Sequence, residues 1–301
     1  MDSLVSEKLH VLWISALTLV CFFFIAWKGG FFRAKENHFK GPPFVPLSEV
    51  MAVFSLFLIV EILLIPALAY VWLSIRAGHW VSQTYLLFDT VTYGWLNLFT
   101  VLCAVFAVVM YSYFLQAPLR HLIYWNAHKE KSLKLAARHF TTGSLTWLLS
   151  FPSVVVVSQL VSLAVMQFKM APHLEQTAVK NLKSTLQSPP LFWCTVLIII
   201  FVVPIAEEIL FRGFMQRWAV HLLGRFKGIA LAAALFAGFH FSTSQGIDNI
   251  ELMASLFVLG LFLGFLYEKK GTLWAPIGLH ITFNAISSMM IVLQELAKQY
   301  V

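Results

Sequence analysis

Two adjacent carboxylates and an arginine stand inside an apolar stretch, in Ala206-Glu207-Glu208-Ile209-Leu210-Phe211-Arg212-Gly213, which follows the apolar run 191–205. An ionisable group in hydrocarbon costs about 3 kcal/mol or more, so its presence points to a function or to a partner. At about 100° per residue, Glu208 and Arg212 share one helix face, with the acid N-terminal as an i, i+4 ion pair prefers. Glu207 lies one step round the helix. The arginine can therefore hold Glu208 and leave Glu207 able to take a proton. The plainer alternative is a structural ion pair with a spare glutamate.

Three more polar residues fall inside late apolar runs. His240 ends Phe236-Ala237-Gly238-Phe239-His240, and His280 and Asn284 stand four apart in His280-Ile281-Thr282-Phe283-Asn284. The i, i+4 spacing puts imidazole and amide on one helix face. Buried polar groups must find partners, and the nearest available here are each other, so convergence into one cavity is expected. A glutamate and a histidine can hold one water between them, the glutamate acting as general base. A second histidine and an amide can donate to the oxyanion that forms on a scissile carbonyl. These parts suffice for peptide hydrolysis without a covalent intermediate. No serine or cysteine with a neighbouring base is evident.

The elements that position these groups are membrane helices. The chain has 301 residues, of which 59% are hydrophobic and 12% charged, with mean hydropathy +0.80. A soluble domain carries about 25% charged residues, so the composition excludes a soluble enzyme. Runs long enough for a span occur at 11–27, 50–75, 91–115, 144–166, 191–216, 228–241, 250–267 and 273–293. The fold expected is all-α, a polytopic membrane protein with about eight transmembrane helices. Residues 1–190 supply N-terminal helices with basic and interfacial segments, and 191–301 supply the helices with the polar constellation, in one integrated membrane domain. The run at 228–241 is short and must borrow from its flanks or lie shielded by protein. The first run is read as a retained span rather than a cleaved signal. Cys21, Cys103 and Cys194 lie in apolar runs and read as small hydrophobes.

The first, third, fifth and seventh connections hold 15 of the 21 Lys and Arg residues, which places those loops in the cytoplasm and both termini outside. The net charge of +7 thus points to anionic lipid and not to nucleic acid. The third loop, with Arg120, Lys129, Lys131, Lys134 and Arg138 around Leu122, Ile123 and Tyr124, reads as an amphipathic piece on the inner leaflet. Gly41-Pro42-Pro43 reads as a loop, and Pro172 to Pro189 as an outer interfacial strap. Glu61, five residues before Pro66, is either a relay carboxylate or a glutamate reaching polar neighbours near a kink. Gly260-x-x-x-Gly264 reads as a close-packing face without a chemical role.

Glu-Glu-x-x-x-Arg, then Phe-x-x-x-His, then His-x-x-x-Asn, in this order on late membrane spans, resembles the CPBP family, the CAAX proteases and bacteriocin-processing enzymes also called Abi. The resemblance covers about residues 195–288. It implies an intramembrane glutamic endopeptidase similar to the Ras-converting CAAX prenyl endopeptidase, without a metal or cofactor. On that likeness Glu207 is the general base and His240 shares the activated water. His280 and Asn284 form the oxyanion site, and Glu208 and Arg212 orient the cavity. The partners implied are the lipid bilayer and a peptide or protein substrate, including membrane-anchored or lipidated ones. The location implied is the plasma (inner) membrane of a bacterium.

Rival readings use the same residues. Glu207, His240 and His280 are acceptable zinc ligands, although no His-Glu-x-x-His helix is present. A transporter would show paired broken helices in two repeated halves, and the polar residues cluster in the C-terminal half only. An inactive member acting as an immunity or scaffold protein is a further alternative. One point fits poorly: His240 lies about 18 Å along a sixth helix entered from the cytoplasm, and Glu207 about 24 Å from the outer start of the fifth.

Overall fold

The computed structural model describes residues 2–33, 44–79, 90–125, 132–167 and 177–299, and among these there are helices and no strand. We label the helices α1 (Asp2–Lys28), α2 (Leu47–Ala77), α3 (Thr90–Phe114), α4 (Ala117–Trp125), α5 (Leu133–Gln167), α6 (Thr177–Ser184), α7 (Pro189–Leu223), α8 (Arg225–Phe239), α9 (Asp248–Lys270) and α10 (Trp274–Gln299). Seven of these are long and apolar enough to cross a membrane: α1, α2, α3, α5, α7, α9 and α10. The eighth expected span is α8, whose 15 residues cover only about 22 Å at 1.5 Å per residue. Protein shields it, with Ile229, Ala232, Ala233, Phe236 and Ala237 buried. Outward faces are apolar, as a lipid solvent requires: on α1, Trp13, Leu17, Val20 and Phe24 are all more than half exposed.

The basic connections meet at one end of the bundle. Lys269 Nζ donates to the Gly30 carbonyl at 3.3 Å. Leu273 N–H donates to the Tyr124 carbonyl at 3.2 Å. The Phe44 ring stacks on His221 with centroids 4.5 Å apart. First, third, fifth and seventh connections are thereby on the same side, which is the arrangement that the charge count expects. Gly41-Pro42-Pro43, Lys129 and Lys131 lie outside the described residues, as do residues 172–176 of the outer strap. The rest of that strap is α6 and a 3-10 turn over Thr185–Gln187, and Lys183 of α6 pairs with Glu295 of α10 at 2.6 Å.

The third connection differs from the expectation. Leu122 and Ile123 of α4 are buried in protein rather than laid on lipid. Tyr267 from α9 donates its hydroxyl to the Ile123 carbonyl at 3.0 Å, satisfying a helix-end acceptor. The apolar stripe of α4 therefore faces Phe211 and Phe214 of α7 within the main core.

Helices α5 and α10 come into backbone contact at two glycines. A Cβ on Gly143 would meet the Ala275 carbonyl oxygen at 1.8 Å, and one on Gly278 would meet the Phe140 oxygen at 2.3 Å. Without a hydrophobic driving force between helices in lipid, such backbone contact and hydrogen bonds across it supply the cohesion. Ser144 Oγ donates to the Gly278 carbonyl at 3.2 Å, and His139 Nδ1 meets Thr272 Oγ1 at 2.9 Å. Gly143→Val is expected to lower the melting temperature in detergent by several degrees or abolish folded protein. Gly238→Ala, where an added Cβ meets nothing within 4 Å, is expected to melt at or slightly above wild type. Equal melting of the two variants would show that the approach is not required.

Candidate active site

Helix α7 carries Glu207, Glu208 and Arg212, and its winding is unusual. It passes from α to π over Ile198–Val202, back to α over Val203–Glu208, and to π again over Ile209–Gln216. Wide turns of this kind gather at functional sites. Pro204 supplies a local cause for the first, since it has no N–H to give the preceding turn and its ring crowds that turn. Val203 N–H bonds to the Ile198 carbonyl, the i−5 partner. The next bond in that register would need an N–H on residue 204, so the Ile199 carbonyl loses its helical donor. Asn284 Nδ2, from α10, donates to that carbonyl at 3.0 Å.

The depth discrepancy disappears because α7 runs on to Leu223 and α8 begins at Arg225. From the basic end, Glu207 is then about 24 Å up one helix and His240 about 22 Å up the next. Their side chains meet. Glu207 Oε1 is 3.7 Å from His240 Nε2, and Glu207 Oε2 is 3.5 Å from His280 Nε2. Glu208 Oε1 accepts from Arg212 Nη1 at 3.1 Å and from His280 Nδ1 at 2.8 Å. Glu208 and Arg212 are fully buried, whereas the side chains of Glu207 and His240 are 17% and 31% exposed. Glu208 is thus buried and paired with Arg212, and Glu207 stays part-exposed beside two histidines.

His240 has a defined tautomer when neutral. Its Nδ1 lies 2.9 Å from the Phe236 carbonyl, which can only accept, so Nδ1 carries the proton and Nε2 presents a lone pair. That lone pair faces a carboxylate oxygen across 3.7 Å. Two acceptors at this separation are reconciled by a donor to both, and a water molecule has the required two O–H groups. His280 faces carboxylate oxygens with both ring nitrogens and donates to both only as imidazolium.

Phe236 joins the parts. The Arg212 guanidinium lies over its ring at 4.5 Å, and its edge-on neighbours are His240 (5.0 Å) and His280 (5.9 Å). Arg212 Nη2 also donates to the Gly260 carbonyl at 3.4 Å. One turn on, Gln216 Nε2 donates to the Gly264 carbonyl at 3.0 Å and to Glu268 Oε1 at 2.9 Å. The glycine pair on α9 thus does more than permit close packing: it offers two carbonyls to the polar face of α7.

Three residues near the site escaped the sequence reading. Gln216 and Glu268 complete two four-residue stripes, Glu208-Arg212-Gln216 on α7 and Gly260-Gly264-Glu268 on α9, and that shared spacing was the available signal. Asn249 had none. Its side chain accepts from Ser242 N–H at 3.0 Å and donates to the carbonyls of Ser242 (2.7 Å) and Gly246 (2.9 Å), locking the loop just after His240. Glu61, in the π turn Ile59–Leu64 of α2, is within electrostatic reach of Glu207. One turn before it, Phe57 packs on Phe239 with centroids 5.8 Å apart, so this face of α2 borders the site.

Removing one partner of a buried ion pair leaves an uncompensated charge and costs about 3–5 kcal/mol. Arg212→Ala is therefore expected to melt far below wild type, and adding Glu208→Gln to recover part of the loss. Detergent melting of the single and double variants checks this. A single variant that melts like wild type would show that the pair carries no stability.

Residues 189–286 match the family described as type II CAAX prenyl endopeptidase Rce1-like. A relative in Bacillus subtilis (strain 168), the uncharacterized protein YpbD, is 32% identical over 142 residues, which is 46% of this chain and 66% of that protein. The chain thus spans about two thirds of that relative's length. No solved structure matches the chain significantly. The matched residues run from the first turn of α7 past Asn284 and contain all three motifs, so the segment that builds the polar site is the part of the chain that is similar to the Rce1-like family of CAAX prenyl endopeptidases.

Proposed function

We propose that this chain is an intramembrane endopeptidase that hydrolyses a peptide bond with a water activated between Glu207 and His240. The observation that carries the reading is the 3.7 Å approach of Glu207 Oε1 to the lone-pair nitrogen of His240. The water's oxygen attacks the scissile carbonyl carbon while its proton passes to Glu207. Charge gathers on the carbonyl oxygen. His280 Nε2 and the second N–H of Asn284 are the donors that meet it, a role supported by their shared helix face next to Glu207. Collapse of the adduct breaks the C–N bond, and Glu207 returns the proton to the leaving amine. Glu208 and Arg212 hold His280 and Phe236 in register.

The substrate proposed is a peptide segment of a membrane-anchored or lipidated protein. The site lies about 22–24 Å from the basic end, within the span of the apolar helices. A scissile bond must therefore be brought to that depth, which a lipid-held chain achieves without crossing water. The bacterial relative supports a bacterial plasma membrane. The basic connections support contact with anionic lipid rather than nucleic acid.

Glu207→Gln is expected to abolish cleavage with melting unchanged, because the isosteric amide cannot take a proton from water. Asn284→Ala is expected to lower turnover by roughly 100- to 1000-fold with little change in KM, the usual effect of losing an oxyanion donor. The assay is cleavage of reconstituted membrane proteins with mapping of new termini. Proteolysis retained by purified Glu207→Gln would replace the assignment, and wild type without cleavage in any membrane proteome would favour a scaffold or immunity role.

The glutamate mechanism requires no ion, whereas a zinc enzyme loses activity with its metal and regains it on readdition. Full activity is expected after exhaustive chelation, with no stoichiometric metal by elemental analysis. Activity that follows bound zinc through a chelation and readdition series would make Glu207, His240 and His280 metal ligands instead.

A further inference from the structure

Two cavities flank the turn that follows α1, away from the polar site. One is a cleft of about 440 Å³ lined by Trp27, Lys28, Phe32 and Arg33. The other, of about 200 Å³, lies between α1 and α5 and is lined by residues including Phe22, Ile25, Phe31, Thr146 and Leu149. The turn between them is held firmly. Phe31 and Phe32 pack edge to face, Phe31 packs on Phe265 of α9, and Lys269 bonds to the Gly30 carbonyl with its ammonium 4.7 Å from the Phe31 ring centre. Phe31 belongs to the second cavity and Phe32 to the first, so a single ligand can reach both by passing this turn.

The chemistry of the two cavities differs. The polar lining of the second is already satisfied: Thr142 Oγ1 donates to the Arg138 carbonyl and Thr146 Oγ1 to the Thr142 carbonyl, both at 2.8 Å. Only methyls and rings remain to face the space. A cavity without polar demand excludes water and accepts hydrocarbon. The first cavity offers an ammonium, a guanidinium and an indole at the end of a membrane helix, the set that meets a headgroup at the interface. Lys269 adds a third cation at the same turn. These cations come from the first and seventh connections, on the basic side of the bundle, where anionic lipid collects.

We propose that this end of α1 is a binding site for one anionic phospholipid, its phosphate between Lys28 and Arg33 and an acyl chain in the groove between α1 and α5. The site is separate from Glu207 and does not rest on the proteolytic reading.

The test is lipid retention by the intact protein in detergent, measured by native mass spectrometry, with phosphatidylglycerol and diacylglycerol of identical chains as probes. Each cation facing an anionic headgroup is worth about fivefold in affinity, so wild type is expected to prefer phosphatidylglycerol by about 25-fold. Lys28→Gln/Arg33→Gln, at exposed positions that do not endanger folding, is expected to bring the preference to within about twofold. Ala26 also lines the groove, and Ala26→Phe, which narrows it, is expected to weaken both lipids alike and leave the preference intact. Glu207→Gln is expected to bind as wild type does. Glycerol 3-phosphate and inorganic phosphate at millimolar concentration are expected to leave the lipid bound. An unchanged preference in the double variant would overturn the headgroup site. Displacement by free phosphate, or undiminished binding in folded Ala26→Phe, would overturn the acyl-chain site and with it the proposal.

Discussion

The buried carboxylate of Glu208 is the group on which the site depends. One of its oxygens accepts from Arg212 on the same helix and from His280 on another. In hydrocarbon a lone carboxylate is prohibitively costly, and a single cation at the right distance offsets only part of that cost. The second donor is therefore not ornament. It ties α10 to α7 at the level of Glu207 and fixes the His280 ring plane, so that its far nitrogen looks at the Glu207 carboxylate. Arg212 in turn is braced by the Phe236 ring and the Gly260 carbonyl, which brings α8 and α9 into the same arrangement. Two helices meet at one oxygen atom, and two more brace the arginine that holds it.

That convergence explains why the three motifs were legible and much else was not. Glu207, Glu208, Arg212, His240, His280 and Asn284 stand out because each is polar within an apolar run, and a lipid solvent leaves such residues few partners. The i, i+4 rule picked out Glu208 as the partner of Arg212. The number of spans was readable to within the short α8, since length and hydropathy fix the rest. The polar stripe of Gln216 and Glu268 was hidden because Glu268 precedes Lys269 and Lys270 and so resembles an ordinary charged helix end. The seat of α4 was hidden too. An amphipathic stripe has the same spacing whether it faces lipid or protein, and Tyr267, whose hydroxyl decides the matter, lies far along the chain. Asn249 sits in a loop, where a polar residue carries no signal.

The π turns of α7 were beyond sequence reasoning for a different reason. Helical periodicity assumes one register, and the i, i+4 argument for Glu208 and Arg212 succeeded although the second wide turn begins between them. The widening lets α7 keep Glu207 on the open side and the Arg212–Gln216 stripe against α9. A uniform α-helix drifts by about 20° for every seven residues relative to a seven-residue repeat, and wide turns redistribute such drift. Pro204 locates the first of those turns.

Pro204, Ile199 and Asn284 then form a single unit of inheritance. The proline withholds an N–H, the wide turn strands the Ile199 carbonyl, and an amide from 85 residues away fills the vacancy. In a descendant where position 204 regained an N–H, the carbonyl would be satisfied within its own helix. Position 284 would be released from that bond, and its amide would answer to the oxyanion alone. Conversely, loss of the amide with proline retained strands an acceptor in the membrane interior. Among relatives of this chain, loss of the amide at 284 is therefore expected only where the proline at 204 is lost as well, a one-way link through a backbone atom belonging to neither.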